Sequence, residues 1–270
     1  MLAALRALVS DNWTHRGQIW FLAVTELKKG VQGTWLGWVW LILKPVVFVA
    51  AFWFALEIGI KAGHSLPDGV HYVVWLAAGI FPWYYMSAMI TQGSNVYRRY
   101  SYLVTKLKFP LPVISSFFSF AQLLIFLMTL GVLFLLMVIF RSPFTVYLVQ
   151  LPLVIIFVYL TFTIFSVLTS PLSAVSKDFH NLLRVLNTPL FWLSGILFDV
   201  SQINIAWLQW VFAFNPVTFF ASAFRASVTD SYWIWTEPLK IFPFLGVLVL
   251  LGVLALRVQS RLSREVPDVI

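Results

Sequence analysis

The sequence predicts an all-α integral membrane protein with six transmembrane helices, an N-terminal amphipathic interface helix and a re-entrant outer helical hairpin between the fifth and sixth spans. Hydrophobic residues make up 61% of the chain and charged residues only 10%, whereas soluble domains are about 25% charged. The apolar residues form long separate runs, which favour helices over the alternating strands of a barrel. In this topology all but four of the 18 basic residues lie on the cytoplasmic side, as the positive-inside rule requires.

The first predicted element is an amphipathic helix over residues 14–30, which we expect to lie in the plane of the membrane interface. Ile19, Ala23 and Leu27 share one face at helical spacing, and charged residues occupy the opposite face. Three glycines within residues 30–37 then break the helix. Glycine tolerates the backbone conformations of a tight turn, so the chain can enter the membrane here.

The six predicted spans cover residues 38–60, 72–93, 113–140, 147–170, 183–198 and 239–256. A polar segment at 171–182 is expected to be a loop. Asn215-Pro216 divides residues 205–228 into halves that are too short to cross about 30 Å of hydrocarbon. A full span there would place the basic C-terminal tail outside, so we predict a re-entrant hairpin, both termini in the cytoplasm, and a single transmembrane domain over residues 1–270.

The longest basic, tyrosine-rich segment lies at residues 95–108, between the second and third spans. Each Lys or Arg at the bilayer centre costs at least about 2.5 kcal/mol, so this segment lies in water or against another protein. We expect a cytoplasmic partner to dock here. The expected contact residues are Tyr97, Arg98, Arg99, Tyr100, Leu103 and Lys106. A loop that only sets topology is the simpler alternative.

Catalytic and metal-binding motifs are weak. His64, Asp68 and His71 could hold a metal, but Pro67 and Gly69 place them in a loop whose polarity already explains them, and we predict no metal site. The chain has no cysteine, which excludes disulfides and thiolate sites. It has no Gly-rich phosphate-binding motif followed by Lys-Ser or Lys-Thr. If ATP is used, another chain binds it.

Aromatic residues form 18% of the chain and predict a path for a polymer of sugars. Aromatic rings suit the C–H faces of sugars and offer no fixed hydrogen bonds that would trap a moving chain. The expected lining residues are Trp83, Tyr84, Trp207, Trp210, Phe214 and Phe219. Packing against lipid is the alternative for each ring. Ionisable residues are rare within the spans, which argues against ion-coupled transport.

Several motifs occur in a familiar order: GTWLG at residues 33–37, WLILKP at 40–45, KLKFP at 106–110, FNPVT at 214–218 and AFR at 223–225. Together they resemble the permease subunit of type-2 ABC exporters. The resemblance is greatest to the branch that exports lipid-linked polysaccharides such as O-antigen, capsule or teichoic acid. It extends over essentially the whole chain.

The resemblance implies a homodimer in the bacterial cytoplasmic membrane that works with two separate ATPase subunits. ATP and Mg²⁺ would bind those subunits, and this chain would hold no cofactor. Residues 95–108 would form the coupling helix, and residues 205–228 the outer gate helices. The cytoplasmic gate, where a lipid pyrophosphate enters, would comprise Lys28, Lys29, Gly33, Leu36, Gly37 and Lys44.

Two other functions remain open. One is a drug or lipid exporter of the same superfamily, which shares the architecture but does not need a path lined by aromatic residues for sugars. The other is a membrane-embedded transferase acting on lipid-linked sugars, which requires carboxylates or histidines that face a cavity.

Overall fold

The computed structural model describes residues 6, 10–59, 69–107, 109–230, 232–262 and 265–266, and all regular structure within them is helical. The elements in chain order are α1 (Arg16–Val31), α2 (Val39–Trp53, continued by a π-helical turn over Phe54–Gly59), α3 (Tyr72–Thr91), α4 (Val96–Arg99), α5 (Ser101–Thr105), α6 (Leu111–Ile139), α7 (Leu151–Val175), α8 (Lys177–Leu193), α9 (Ala206–Ala213), α10 (Pro216–Val228) and α11 (Pro238–Leu262).

Five helical segments in the described residues are long and apolar enough to cross a membrane. They are Val39–Gly59, Tyr72–Arg99, Leu111–Ile139, Val146–Val175 and Pro238–Leu262. A sixth is present only if α9 and α10, which meet at an angle of 86°, are counted as one broken span. The predicted fifth span falls on α8, which has 17 residues and begins with Lys177 and Asp178, so it is shorter and more polar than the five.

The predicted polar loop at 171–182 is wrong. Helix α7 continues to Val175, α8 starts at Lys177, and only Ser176 separates them, with extended backbone at ψ 118°. The Ser176 hydroxyl accepts a hydrogen bond from the backbone N–H of Phe179 at 3.3 Å. A serine that caps a helix in this way lets the chain resume a helix within one residue.

The break predicted at Asn215-Pro216 is present. The Asn215 side-chain oxygen accepts from the backbone N–H of Val217 at 3.0 Å, and its amide nitrogen donates to the Ser194 hydroxyl at 2.8 Å. Pro216 occupies the first turn of α10, where its missing N–H costs nothing. The same asparagine thus starts α10 and fixes it to the turn after α8.

Helix α3 is the centre of the bundle, and almost all of its residues are buried. It packs against α6, α10, α2, α7 and α8. Three hydroxyls join α3, α6 and α7: Tyr85 bonds Ser119 at 2.8 Å, and Ser119 bonds Thr163 at 2.6 Å. The outer helices α2 and α11, in contrast, leave most of their surface exposed.

Arg225 on α10 is only 4% exposed, and it is held among backbone carbonyls. It donates to the carbonyls of Gly195 at 2.7 Å and of Ile196, and its guanidinium lies 3.4 Å from the ring centre of Trp75. Gly79 makes this approach possible, since a Cβ there would lie 2.6 Å from the Arg225 Nη2 atom. This arginine therefore ties α10 both to α3 and to the turn after α8.

Candidate functional site

A cavity of about 410 Å³, which we call the gate cavity, lies between α1, α2, α3 and α6. Trp40, Phe81 and Tyr84 contribute aromatic wall, and Glu26, Lys44 and Arg99 contribute charged groups. Tyr84 is fixed there by edge-to-face contact with Phe48 of α2, at 5.7 Å between ring centroids. The cavity therefore combines aromatic surface with charges of both signs.

The predicted gate residues lie along the turn that joins α1 to α2. Lys44 lines the gate cavity, and Lys28 and Lys29 are exposed in the last turn of α1, where cations complement the helix dipole. Gly33 and Gly37 have φ values of +76° and +49°, a region in which a side chain is strained. Leu36, between them, is exposed.

The predicted docking segment starts with three consecutive residues that contact three different helices. Tyr97 is fully buried and donates to the side-chain oxygen of Gln259 on α11 at 3.4 Å. Arg98 donates to the carbonyl of Ala174 at the end of α7, at 3.2 and 2.7 Å. Arg99 pairs with Glu26 of α1, the one ion pair within the described ranges. These three side chains thus hold the segment onto the bundle.

The rest of the docking segment is divided between core and surface. Tyr100 and Leu103 pack partly buried against the core, and burial, together with the neighbouring Glu26 carboxylate, raises the pKa of Tyr100. Lys106 is exposed. Tyr102 and Leu107 are also exposed, at 64% and 56%, and the sequence analysis missed them. Helical spacing could have indicated the exposure of Tyr102, because it lies on the face opposite the buried Val104.

The six predicted path aromatics do not form one continuous surface. Trp83 is buried, with its ring centroid 5.7 Å from that of Phe191 on α8. Phe219 is buried and stacks on Phe244 of α11 at 3.9 Å. The exposed rings are those of Trp207, Trp210 and Phe214 on and just after α9, and Tyr84 is in the gate cavity.

A second concavity of about 530 Å³, which we call the basic pocket, adjoins the gate cavity. It is lined by Thr91, Gln92, Asn95, Arg98, Arg99, His180 and Arg184, of which Thr91, Gln92 and Arg99 also line the gate cavity. Burial, and then the charges of Arg184 and Arg98, lower the pKa of His180. This residue precedes the predicted fifth span, and its Nδ1 lies 3.3 Å from the Ser94 hydroxyl.

Residues 17–229 match the model of the ABC-2 type transporter family. The chain belongs to that family. It is similar to the O-antigen export system permease protein RfbA of Myxococcus xanthus, with 24% identity over 90% of this chain and 92% of the relative. A permease of the same name from Klebsiella pneumoniae is 22% identical over 91% and 92% of the two chains. A second Klebsiella pneumoniae relative is 23% identical over 71% and 72%.

Membership of the ABC-2 transporter family and the apolar helices make this chain an integral membrane protein with the role of a transport subunit. Within the described residues, no group of three or more His, Asp or Glu side chains is placed to hold a metal. Of the weak metal candidates, His64 and Asp68 lie outside the described residues. His71 contacts Phe140, with 5.3 Å between ring centroids.

The ABC-2 fold brings Lys44 and Tyr84, two residues predicted for different roles, into the gate cavity, and places Arg99 beside them. The aromatic residues of α9 do not line this cavity. His180 and Arg184 were missed by the sequence analysis, which treated the start of α8 as a loop and as the edge of a span. The sequence shows Arg98, Arg99 and Arg184, but only the fold brings them together around one pocket.

Proposed function

We propose that this chain is the permease subunit of an ATP-driven exporter that moves a lipid-linked polysaccharide, of the O-antigen, capsule or teichoic acid type, across the bacterial cytoplasmic membrane. Two copies of the chain form the pore, and two separate ATP-binding-cassette subunits bind ATP and Mg²⁺ on the cytoplasmic side. The family match over residues 17–229 and relatives named as O-antigen export permeases support this proposal.

The gate cavity is the observation that carries the proposal. A lipid-linked polysaccharide presents a negatively charged phosphate linkage, sugars and an apolar tail. The cavity provides Lys44 and the ion pair of Arg99 with Glu26 as charged groups, and Trp40 and Tyr84 as flat rings for sugars or an apolar stem. Pockets that bind only small apolar molecules carry few charged groups, so this combination favours an amphiphilic anion over an uncharged drug.

In the proposed topology α8 is the fifth of six spans, and α9 and α10 form the outer re-entrant hairpin. Helix α8 rises about 25 Å at 1.5 Å per residue, which nearly crosses the hydrocarbon when the turn at Gly195 is added. Its basic first turn is then cytoplasmic, in agreement with the positive-inside rule. Helix α1 lies at the cytoplasmic interface, with Ala23 and Leu27 packed on α6.

The exposed surface of α8 supports the proposed homodimer. Leu182, Val185 and Leu186 are exposed there together with the polar side chains of Arg184 and Thr188. A surface of this mixed kind is costly against lipid tails. A second copy of the chain, or a water-filled path between two copies, provides a more suitable environment.

The proposed contact with the ATPase subunit is the surface formed by Tyr102, Lys106 and Leu107. These side chains project outward, whereas Arg98 and Arg99 are engaged with Ala174 and Glu26. Two exposed apolar side chains beside a cation are typical of a protein interface and uncommon in a loop that only sets topology.

The experiment that tests the function is deletion of the gene, followed by analysis of cell-surface polysaccharide and of lipid-linked polysaccharide inside the cell. We expect surface polymer to disappear and lipid-linked polymer to accumulate, and a plasmid copy of the gene to reverse both effects. The matched control is the same plasmid in a strain whose ATPase subunit lacks its catalytic carboxylate. In that strain the plasmid should not restore surface polymer.

The alternatives give different outcomes. Normal surface polymer, with altered resistance to drugs or altered membrane lipids, would contradict the polysaccharide assignment and favour the drug or lipid exporter. Loss of surface polymer without accumulation of a lipid-linked precursor would favour the transferase. In that case simultaneous replacement of His64, Asp68 and His71 by Ala should abolish function, whereas an exporter tolerates it.

A further inference from the structure

The basic pocket concentrates positive charge, because three arginines and one histidine line it. Arg98 and Arg99 come from α4, and His180 and Arg184 come from α8, one helical turn apart on the same face. Ser176 makes this arrangement possible, because it lets α8 begin directly after α7 and brings its first turns beside α4.

Carboxylates balance little of this charge. No Asp or Glu lines the pocket, and the nearest described carboxylate partner, that of Glu26, is already engaged with Arg99. Arg98 donates to a neutral carbonyl, that of Ala174. Arg184 makes no hydrogen bond or ion pair with any residue in the described ranges. Like charges that converge without a counter-ion oppose each other, and an anion in the pocket would remove this repulsion.

We propose that the basic pocket binds a phosphate-type dianion, and that the pyrophosphate linkage of the lipid-borne substrate is its occupant. The second half of this inference rests on the proposed function. Guanidinium groups present planar pairs of N–H donors that match phosphate oxygens in a bidentate arrangement. Gln92 and Thr91 supply neutral polar groups at the edge that the pocket shares with the gate cavity.

The junction of the two cavities selects a lipid-borne phosphate over a free one. Thr91, Gln92 and Arg99 line both cavities. When Arg98 and Arg184 hold the pyrophosphate, the chain attached to it can therefore extend directly into the gate cavity. There Trp40 and Tyr84 offer flat surfaces to the attached chain. From their closeness in sequence to the expected entry loop, we expected Lys28, Lys29 and Lys44 to meet the pyrophosphate. Of these, Lys44 lines the neighbouring gate cavity, and Lys28 and Lys29 are exposed in the last turn of α1.

The test measures binding of inorganic pyrophosphate to the full chain purified alone in lipid nanodiscs, by calorimetry in Mg²⁺-free buffer of low salt. We expect Arg184→Gln to weaken binding tenfold or more, because one bidentate partner is lost, and Arg184→Lys to restore part of it. Lys177→Gln is the matched control. It removes one positive charge from the same helix, at an exposed position outside the pocket, and should change the affinity less than twofold.

The second arm identifies the source of the phosphate. A short polyprenyl pyrophosphate in the nanodisc should displace inorganic pyrophosphate from the unaltered chain. The corresponding polyprenol, which lacks phosphate, should not. Displacement supports the lipid-borne occupant. Binding of inorganic pyrophosphate without displacement would overturn that occupant and retain a site for a free anion, and it would be the expected pattern if the proposed function failed.

Two further results would overturn the pocket itself. One is equal affinity in Arg184→Gln and Lys177→Gln, which shows that the anion binds elsewhere. The other is unchanged pyrophosphate binding in Arg184→Gln combined with loss of the co-purifying ATPase subunit. That combination would identify the pocket as a docking surface for acidic groups of a protein partner.

Discussion

Replacement of Gly79 by Ala tests whether Arg225 holds α10 to the bundle. A Cβ at position 79 would lie 2.6 Å from the Arg225 Nη2 atom and 3.0 Å from the carbonyl oxygen of Ile196. Real Cβ atoms do not approach other atoms so closely, and the carbonyl is backbone. The guanidinium therefore has to move, and with it the hydrogen bonds to Gly195 and Ile196.

The magnitude follows from these contacts. A hydrogen bond to a charged group contributes about 1.5–3 kcal/mol, so loss of two costs about 4 kcal/mol. Removal of a glycine from a helix interior returns up to about 1 kcal/mol. The net destabilisation is about 3 kcal/mol, which corresponds to roughly 6–12 °C in melting temperature for a chain of this size. Gly131→Ala is the matched control, since Gly131 lies within α6 and its Cβ would meet nothing within 4 Å.

The assay is thermal unfolding in detergent, followed by intrinsic tryptophan fluorescence, for which the 13 tryptophans are well suited. We expect Gly79→Ala to melt several degrees below the unaltered chain and Gly131→Ala to melt at or slightly above it. If Gly79→Ala melts together with Gly131→Ala, the guanidinium can relax at no cost, and the conclusion that Arg225 fixes α10 to the bundle is refuted.

Four other predictions follow from the site. Gly33→Ala should lower stability by about 1 kcal/mol because φ is +76° there, whereas Gly17→Ala, in α1 with open space around it, should not; melting temperatures compare them. Lys106→Glu should weaken co-purification of the ATPase subunit about tenfold, equivalent to about 1.4 kcal/mol, with unchanged membrane insertion. The ratio of pyrophosphate affinity between the unaltered chain and His180→Gln, in which the titration of pyrophosphate itself cancels, should rise as pH falls from 7.5 to 5.5; burial and the neighbouring arginines lower the pKa of His180, so it becomes charged only at the acidic end, and a bound anion favours its protonated form, as calorimetry would show. Trp210→Ala, at an exposed position on α9, should slow export about fivefold, measured as surface polymer, without loss of assembly.

Local chemistry made some of the fold predictable. Asn215-Pro216 predicts a helix start, since asparagine caps and proline fits the first turn, and the two helices there meet at 86°. The glycines at positions 33 and 37 predict a turn, and both have positive φ in the structure. These features depend on one to four neighbouring residues, which is the range over which sequence alone is decisive.

The start of α8 was mispredicted because two local signals conflicted. Lys177, Asp178 and His180 are polar and suggest a loop, yet Ser176 followed by Asp178 is also a helix N-terminus with its acidic residue in the first turn. The capping geometry prevailed. The error concealed the basic pocket, because a loop gives no reason for His180 and Arg184 to face the same way.

Burial of α3 could also have been inferred. The segment Tyr72–Arg99 is the least hydropathic of the five candidate spans and the most buried of them. Ala77, Ala78 and Gly79 provide the small side chains that let neighbouring helices approach. A span surrounded by protein needs less apolar surface than one surrounded by lipid. Low hydropathy in a long span therefore indicates a helix at the centre of the bundle.

The predicted docking segment is connected to the central helix α3 with little slack. Only the short turn Gly93–Asn95 separates α3 from α4, and the hydroxyls of Ser166 and Ser170 on α7 hold that turn through the carbonyl of Gly93, at 2.7 and 2.9 Å. The next residues bind α11, α7 and α1 in succession. If the proposed ATPase subunit docks on α5, a displacement of α5 therefore meets fixed contacts, and no flexible loop, on the side of α4. It has to shift the central helix or break one of these contacts, and the contact between Arg99 and Glu26 borders the gate cavity.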